Sequence, residues 1–307
     1  YVSIESLDFL KKRRYNYILY SLFSILKNME IKDIVKEIVK NKSRERIFFI
    51  EEYIKNLNVD FNILDYGKGK NIEFVKQSKN NDKDIIFFAH HDISKDTKEG
   101  ANDNSSSVAV LLNTIKYLKN IEVDYNVRLV FNDKEEILGA LLNKNLDAQN
   151  ISKIISNVGS FQYLKNFSKK ENIIAVFNVE LSGIGDIIYF ATKSGLVTCD
   201  SKLINYMEYV CKKEKIEYAK IPVLNSDMIS VHTLSKKGAV YGSIPNGDID
   251  ILSKNPEGVI RDLIPSVWKN IHSLRDNIFA IQEKSLFNVY NFTTKLIDNL
   301  GELKSFL

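Results

Sequence analysis

The stretch that most constrains the fold is a run of five apolar residues, 85–89, followed by two histidines and an aspartate. A short apolar run between polar segments predicts a buried strand. The chain has only four histidines, so two adjacent ones at a strand end are conspicuous. Because ligands of open α/β sheets bind beyond the carboxyl ends of the strands, His90, His91 and Asp92 stand where a site is expected.

Apolar strands alternate with amphipathic helices along the rest of the chain. Strands are predicted at 71–76, 85–89, 126–131, 173–179, 187–191 and 239–241. Helices are predicted at 43–57, 108–118, 200–213 and 279–300. This alternation predicts an α/β fold in three layers, with a mostly parallel, mixed central sheet and helices on both faces.

Two segments fall outside this alternation. Residues 1–42 are predicted to form an N-terminal helical extension, and residues 43–307 the main domain. The extension suits one of three roles: an oligomerisation arm that would give a homo-oligomer through these helices, a cap over the site, or a helix packed on the main domain. Residues 140–158 are rich in Asn and Lys and are predicted to be a partly helical insertion beside the site.

Composition narrows the class of protein. The 43 basic and 39 acidic residues are too balanced to indicate a nucleic-acid partner. No apolar run reaches the ~18–20 residues of a membrane span. The two cysteines lack a disulfide framework, which favours a cytoplasmic protein, although the first residue is Tyr1 and a signal or anchor upstream stays open. Dinucleotide and P-loop motifs are absent.

Acidic residues follow the other predicted strands or precede a helix, namely Asp103, Glu135, Glu136 and Glu180. Each has a structural alternative, since Asp103 can cap a helix and the glutamate pair can begin one. Together with His90, however, they converge on one edge of the sheet. Like-charge repulsion among so many carboxylates is relieved by a divalent cation. Mixed imidazole and carboxylate ligands suit zinc first, then manganese or cobalt.

Five short motifs follow one another along the chain, at residues 89–92, 100–104, 133–136, 178–181 and 271–273. They read Ala-His-His-Asp, Gly-Ala-Asn-Asp-Asn, Asp-Lys-Glu-Glu, Asn-Val-Glu-Leu and Ile-His-Ser. In this order they resemble the M28 family of co-catalytic zinc aminopeptidases, over roughly residues 44–300. The resemblance implies a zinc exopeptidase fold.

The same resemblance implies two divalent metal ions, with zinc as the first choice. Asp103 would bridge both ions. His90 and Glu180 would complete the coordination of one ion, and Glu136 and His272 that of the other.

Two further roles are implied. Glu135 would be the general base that takes a proton from the attacking water. Asp92 would hydrogen-bond the far ring nitrogen of His90 and fix its tautomer. Asp276, four residues after His272, would order the loop there.

The chain departs from the family pattern at two places. Glu180 stands where the family usually has Asp, and Met228 follows Ser226–Asp227 where a histidine is common. Of the remaining histidines, His91 is interpreted as structural or as a substrate neighbour, and His232 as a helix or surface residue.

The leading functional hypothesis is a metallo-exopeptidase that removes the N-terminal residue of a peptide or aminoacyl substrate. A glutaminyl cyclase shares this fold with a single zinc, and the presence of His90 beside Asp103 favours two metals over it. A carboxypeptidase-like or amidohydrolase variant and an inactive peptide-binding relative remain alternatives.

Overall fold

In the computed structural model, residues 29–142, 146–195, 197–224, 226–254 and 264–307 are described. Within these residues, nine strands form one sheet: β1 (Asn62–Asp65), β2 (Lys70–Lys76), β3 (Asp84–His90), β4 (Asn126–Asn132), β5 (Ile173–Val179), β6 (Ile187–Ser194), β7 (Val197–Thr198), β8 (Tyr218–Val223) and β9 (Gly238–Ile244). Their order is β1-β2-β4-β3-β5-β9-β6-β7, with β8 beside β6.

The four middle strands of the sheet, β4, β3, β5 and β9, are parallel. The β1–β2, β2–β4 and β6–β9 pairs toward either side are antiparallel. Parallel neighbours end at the same edge, so β3, β4 and β5 deliver the residues that follow them to one place. The predicted α/β fold with a mixed central sheet is confirmed.

Helices surround the sheet: α1 (Ile31–Val39), α2 (Arg46–Asn56), α3 (Ser106–Leu118), α4 (Ala148–Ile155), α5 (Gly159–Asn166), α6 (Ser201–Glu214), α7 (Met228–Thr233), α8 (Asn246–Lys254), α9 (Ser266–Asn270), α10 (Glu283–Asp298) and α11 (Leu300–Leu303). None of the helices in the described ranges is long and apolar enough to cross a membrane.

Two adjacent residues of β3 show that both faces of the sheet are covered. Phe87 stacks on Phe177 of β5, which in turn contacts Tyr206 of α6. Phe88 instead meets Tyr163 of α5 edge-on, with ring centroids 5.6 Å apart. Because successive strand residues point to opposite faces, α5 and α6 lie on opposite sides of the sheet.

The element boundaries differ from the prediction in a few places. A 3₁₀ turn, Ser43–Glu45, precedes α2, so this helix begins at Arg46 rather than at residue 43. The predicted helix 279–300 is α10, which starts later because Ile278–Ala280 forms a separate 3₁₀ turn. Strand β1 escaped prediction because its side chains are largely exposed and carry no long apolar run.

The predicted N-terminal extension falls largely on residues 1–28, outside the described residues. Within 29–42, α1 buries Ile34, Val35 and Ile38 in the hydrophobic core of its own chain. Of the three roles considered, this part of the extension therefore packs on the main domain. The domain boundary at residue 42 and an oligomer through these helices stay predictions.

Candidate metal centre

The carboxyl end of β3 carries His90, whose ring is buried among acidic side chains. Its Nε2 atom lies 3.2 Å from Asp103 Oδ1 and 3.6 Å from Glu180 Oε2. Glu180 directly follows β5, the parallel neighbour of β3. The structure thus brings together the three residues for which the sequence predicts one shared ion.

The second predicted ligand group forms around His272, in the turn after α9. Its Nε2 atom lies 2.9 Å from Glu136 Oε2 and 3.3 Å from Asp103 Oδ2. Glu136 begins the 3₁₀ helix Glu136–Leu142 that follows β4. The backbone of His272 has φ +53°, in the left-handed region that residues other than glycine seldom adopt.

Asp103 belongs to both groups, since one oxygen faces each histidine. Within the described residues, ligand atoms of His90, Asp103 and Glu136 all lie within 4.8 Å of one another. The buried Oε1 atom of Glu136 has no hydrogen-bond partner. An unpartnered carboxylate oxygen within a mixed imidazole and carboxylate set fits a divalent ion such as zinc.

Asp92 organises the segment that carries the two glutamates. Its carboxylate oxygens accept hydrogen bonds from the backbone N–H groups of Glu135 and Glu136, each at 3.1 Å. Asp92 Oδ1 also lies 3.4 Å from Nδ1 of His90, the nitrogen that faces away from Asp103. This position suits the predicted control of the His90 tautomer, which stays a prediction.

Two buried charged residues hold the loop that carries Asp103 through hydrogen bonds. The Asp276 carboxylate accepts hydrogen bonds from the backbone N–H groups of Asn102 and Asp103, at 2.6 and 3.1 Å. Arg46, which has no exposed surface, donates to Ser105 Oγ and to the carbonyl oxygen of residue 99. Sequence reasoning named Asp276 but missed Arg46, because nothing local to α2 indicates this long-range contact.

Burial and crowding shift the pKa values of the site when no ion is bound. Burial, opposed by His90, raises the pKa of Glu135 well above its ordinary value. Burial likewise raises the pKa of Glu180 to about 7. Hydrogen bonds to two carboxylates raise the pKa of His272 to about 10. Protons therefore offset the mutual repulsion of these acids in the ion-free protein, which is the task a divalent cation would take over.

A further buried acid, Asp227, lies at the start of α7. Its carboxylate accepts hydrogen bonds from Asn132 Nδ2 at 2.8 Å and from Ser160 Oγ at 2.5 Å. Burial raises its pKa against the opposing effect of His90. The sequence resemblance included Asp227 without a role, and its position after β8 was the available signal.

A cavity of about 120 Å³ opens beside both ligand groups. This volume is far below the roughly 300–1,000 Å³ of common small-molecule pockets, so it suits a single side chain. Its apolar and aromatic lining consists of Leu138, Leu181, Tyr189, Val223, Leu224, Trp268 and Ile271. Sequence reasoning left this pocket undefined because its walls come from distant segments.

The remaining histidines stand apart from the ligand groups. His91 is buried, and its Nε2 atom lies 3.2 Å from the carbonyl oxygen of Lys70. His232 is exposed on α7. The position of His232 agrees with its interpretation as a helix or surface residue. His91 also lines a second cavity beside the ligand groups, so its two interpretations, structural residue and substrate neighbour, stay predictions.

The sequence matches peptidase family M28 over residues 71–296, which is most of the chain. The chain belongs to peptidase family M28. The matched range runs from β2 into α10 and includes all seven predicted site residues. No curated protein sequence matches the chain.

Solved structures with this M28 fold come from several bacteria. A zinc aminopeptidase from Bacillus subtilis is 18% identical, with a TM-score of 0.56 over 76% of this chain and 50% of its own. The LapA aminopeptidase of Legionella pneumophila is 12% identical, with a TM-score of 0.66 over 94% of this chain and 74% of its own. A glutaminyl cyclase from Porphyromonas gingivalis is 16% identical, with a TM-score of 0.65 over 88% and 97%.

These identities are low, so the likeness to the solved structures establishes the fold alone. The chain spans about half the length of the Bacillus subtilis structure. Family membership, together with the clustered imidazole and carboxylate groups, supports a metal-dependent hydrolase with a divalent ion at this site.

Proposed function

We propose that the chain is a two-metal exopeptidase that removes the N-terminal amino acid from peptides. The observation that carries this proposal is the placement of Asp103, whose two oxygens lie 3.2 and 3.3 Å from two different histidines. The residues that would hold two zinc ions are His90, Asp103, Glu136, Glu180 and His272.

Two divalent ions, when bound, lower the pKa of a water molecule and polarise the scissile carbonyl group. Glu135 is the base in this proposal. It is buried at the site, with Oε2 3.8 Å from His90 Nε2, and a carboxylate in this position can accept a proton from water. The same carboxyl group then donates the proton to the leaving amine. Glu136, the next residue, serves as a ligand, so the two glutamates divide the two tasks.

The small apolar cavity supports specificity for the first residue. Leu181 and Trp268 are among its walls, so an apolar side chain of modest size would be buried there. The buried carboxylates beside the cavity offer negative charge to the free α-ammonium group of the substrate.

The direct test is metal content per chain in protein purified without chelator and then reconstituted with zinc. Two ions per chain together with release of 4-nitroaniline from leucine 4-nitroanilide would support the proposal. An activity that survives Glu135→Gln at near wild-type rate would contradict the mechanism. A protein that binds two ions and hydrolyses no aminoacyl substrate would instead be an inactive peptide-binding relative.

A second candidate is a glutaminyl cyclase, favoured by the Porphyromonas gingivalis structure that aligns over 97% of its own length. In that reaction the α-amine of an N-terminal glutamine attacks its own side-chain amide and releases ammonia. A peptide beginning with glutamine separates the two candidates, since an aminopeptidase yields free glutamine and a cyclase yields a pyroglutamyl peptide. One zinc per chain with ammonia release would move the assignment to the cyclase.

A further inference from the structure

A second cavity opens beside the proposed metal site and is much larger than the first. Its volume is about 1,060 Å³, against about 120 Å³ for the apolar cavity. Glu136, Gly139 and His272 line both cavities, so the two meet at the ligand groups. An exopeptidase holds one residue on one side of the scissile bond and the remaining peptide on the other. If the apolar cavity binds the first residue, as in the proposed function, the large cavity is the place for the leaving peptide. This inference therefore rests on the proposed function.

Basic side chains outnumber acidic ones in the wall of this large cavity, by five to four. Its basic side chains are Arg44, Lys68, Lys70, Lys95 and Lys134. They come from the turn before α2, the β1–β2 hairpin and the segments that follow β3 and β4. We call this cavity the basic groove.

Most acidic groups that line the basic groove are already engaged by protein donors. Asp92 accepts the two backbone N–H groups described above. Asp133 accepts backbone N–H groups from Lys70 and Lys134, at 3.3 and 2.9 Å. Glu136 is paired with a histidine, which leaves Asp96 as an exposed acid on the wall.

Three of the basic side chains lack such engagement. Lys68 donates to Asn157 Oδ1 at 2.6 Å, and Lys70 pairs with an exposed aspartate at 3.3 Å. Among the described residues, Arg44, Lys95 and Lys134 have no carboxylate within ion-pair distance. Lys134 is half-buried and directly precedes Glu135 in the sequence, and it lines the basic groove, whereas Glu135 lines the apolar cavity.

We propose that the basic groove binds a carboxylate of the leaving peptide. The carboxylate can belong to an acidic side chain just after the scissile bond or to the C-terminus of a short peptide. Either source would satisfy the unpaired cations and steer an acidic peptide toward the site. The chain would thus prefer an apolar first residue followed by an acidic or very short remainder.

The test compares four peptides with the same first residue on the zinc-loaded protein: Leu-Ala-Ala amide, Leu-Glu-Ala amide, Leu-Lys-Ala amide and Leu-Ala-Ala with a free carboxyl terminus. We expect kcat/KM for the glutamate peptide to exceed that for the lysine peptide by about tenfold at low salt. Because these groups are largely exposed, the ratio should shrink as salt screens them. The fourth peptide reports whether the C-terminal carboxylate is also bound.

Variants then place the effect in the basic groove. Each exposed charge pair is worth roughly two- to fivefold, so Lys95→Glu and Lys134→Ala should each lower the glutamate-to-lysine ratio by about that factor. Lys98→Glu is the matched control, because Lys98 is an exposed lysine on the same loop as Lys95 and lines neither cavity. Its ratio should stay at the wild-type value.

The outcomes separate this inference from the proposed function. Leucine release at equal rates from all four peptides would overturn the proposal that the basic groove binds a carboxylate, and would still support the proposed aminopeptidase activity. A ratio that falls as much in the Lys98 variant as in the Lys95 variant would also overturn it. No release from any peptide by the zinc-loaded protein would overturn the proposed function and this inference with it.

Discussion

The two halves of the candidate metal site are built in different ways. His90 and Glu180 sit at the ends of two paired parallel strands, and the His90 side chain is only 1% exposed. His272 and Glu136 sit on a turn and at the start of a 3₁₀ helix, and the His272 side chain is 44% exposed. The first pair is therefore positioned by the sheet, whereas the second pair is positioned by segments that connect the strands and helices.

This difference shows what positions the ligand residues in each half of the site. Strand pairing alone fixes the distance between the ends of β3 and β5. The other half depends on hydrogen bonds across the chain, such as those from the segment of Glu135 and Glu136 to Asp92. We call His90 and Glu180 the strand half, and Glu136 and His272 the loop half. We therefore expect substitutions in the strand half to affect folding, and substitutions in the loop half to affect mainly metal binding.

The sharpest test divides the two adjacent glutamates. Glu135→Gln should lower kcat by about 10³-fold, within the 10²–10⁴ range of a lost general base, and leave two ions bound. Glu136→Gln should instead lose the ion on the His272 side. Turnover of a leucine anilide and metal content per chain measure both effects. Two ions bound and near-normal turnover in the Glu136 variant would remove it from the ligand set.

Replacing each histidine tests the contrast in stability. In chelator-treated protein, His90→Ala should lower the free energy of unfolding by about 2–3 kcal/mol, since it leaves buried carboxylates without their partner. The loss stays below the about 3–5 kcal/mol of a fully charged pair because Glu180, with a pKa of about 7, can take up a proton. His272→Ala should cost less than about 1 kcal/mol because that side chain is half-exposed.

Urea unfolding at pH 7 measures both losses. His232→Ala, a change at an exposed histidine on α7, is the control and should leave both stability and metal content unchanged. Equal losses for the His90 and His272 variants would contradict the division into a strand half and a loop half.

Asp276 supports the residue that the two halves share. Asp276→Ala removes the acceptor for the N–H groups of Asn102 and Asp103, so zinc affinity should fall by about 10- to 100-fold. Competition with a chromogenic zinc chelator measures this affinity. Asp60→Ala, at an exposed position before β1, is the control. Unchanged affinity in the Asp276 variant would mean that packing alone positions Asp103.

The smallest expected effect is the contribution of His272 to the pH dependence of the free energy of unfolding. The ion-free folded state raises the pKa of His272 to about 10 from an ordinary 6.5, so it holds the proton more tightly than the unfolded chain does. The resulting stability is present below pH 6.5 and is lost as the pH rises toward 10. His272→Ala should therefore flatten the decline in stability between pH 7 and 10, by less than about 1 kcal/mol.

Chelator-treated wild type, His272→Ala and His232→Ala are compared by urea unfolding across this range. The His232 variant should keep the wild-type slope. An unchanged slope in the His272 variant would show that its ion pairs contribute no measurable stability in the ion-free protein.

Local patterns in the sequence determined the fold class, six of the nine described strands, the four longest described helices, and the residue types of the site. The apolar run 85–89 predicts a buried strand from five consecutive residues. In a parallel sheet the carboxyl ends of the strands lie at one edge, so the residues that follow them are expected close together. The order of the motifs around His90, Asp103 and Glu180 was enough to indicate the M28 family.

Only the tertiary structure decided how these residues meet. Which oxygen of Asp103 faces which histidine depends on a loop held by Asp276 and Arg46, 173 and 57 positions away in sequence. The apolar cavity and the basic groove are likewise assembled from segments far apart in the chain. Contacts between distant residues leave no periodic trace in the sequence, because their spacing is set by packing and not by the repeat of a helix or strand.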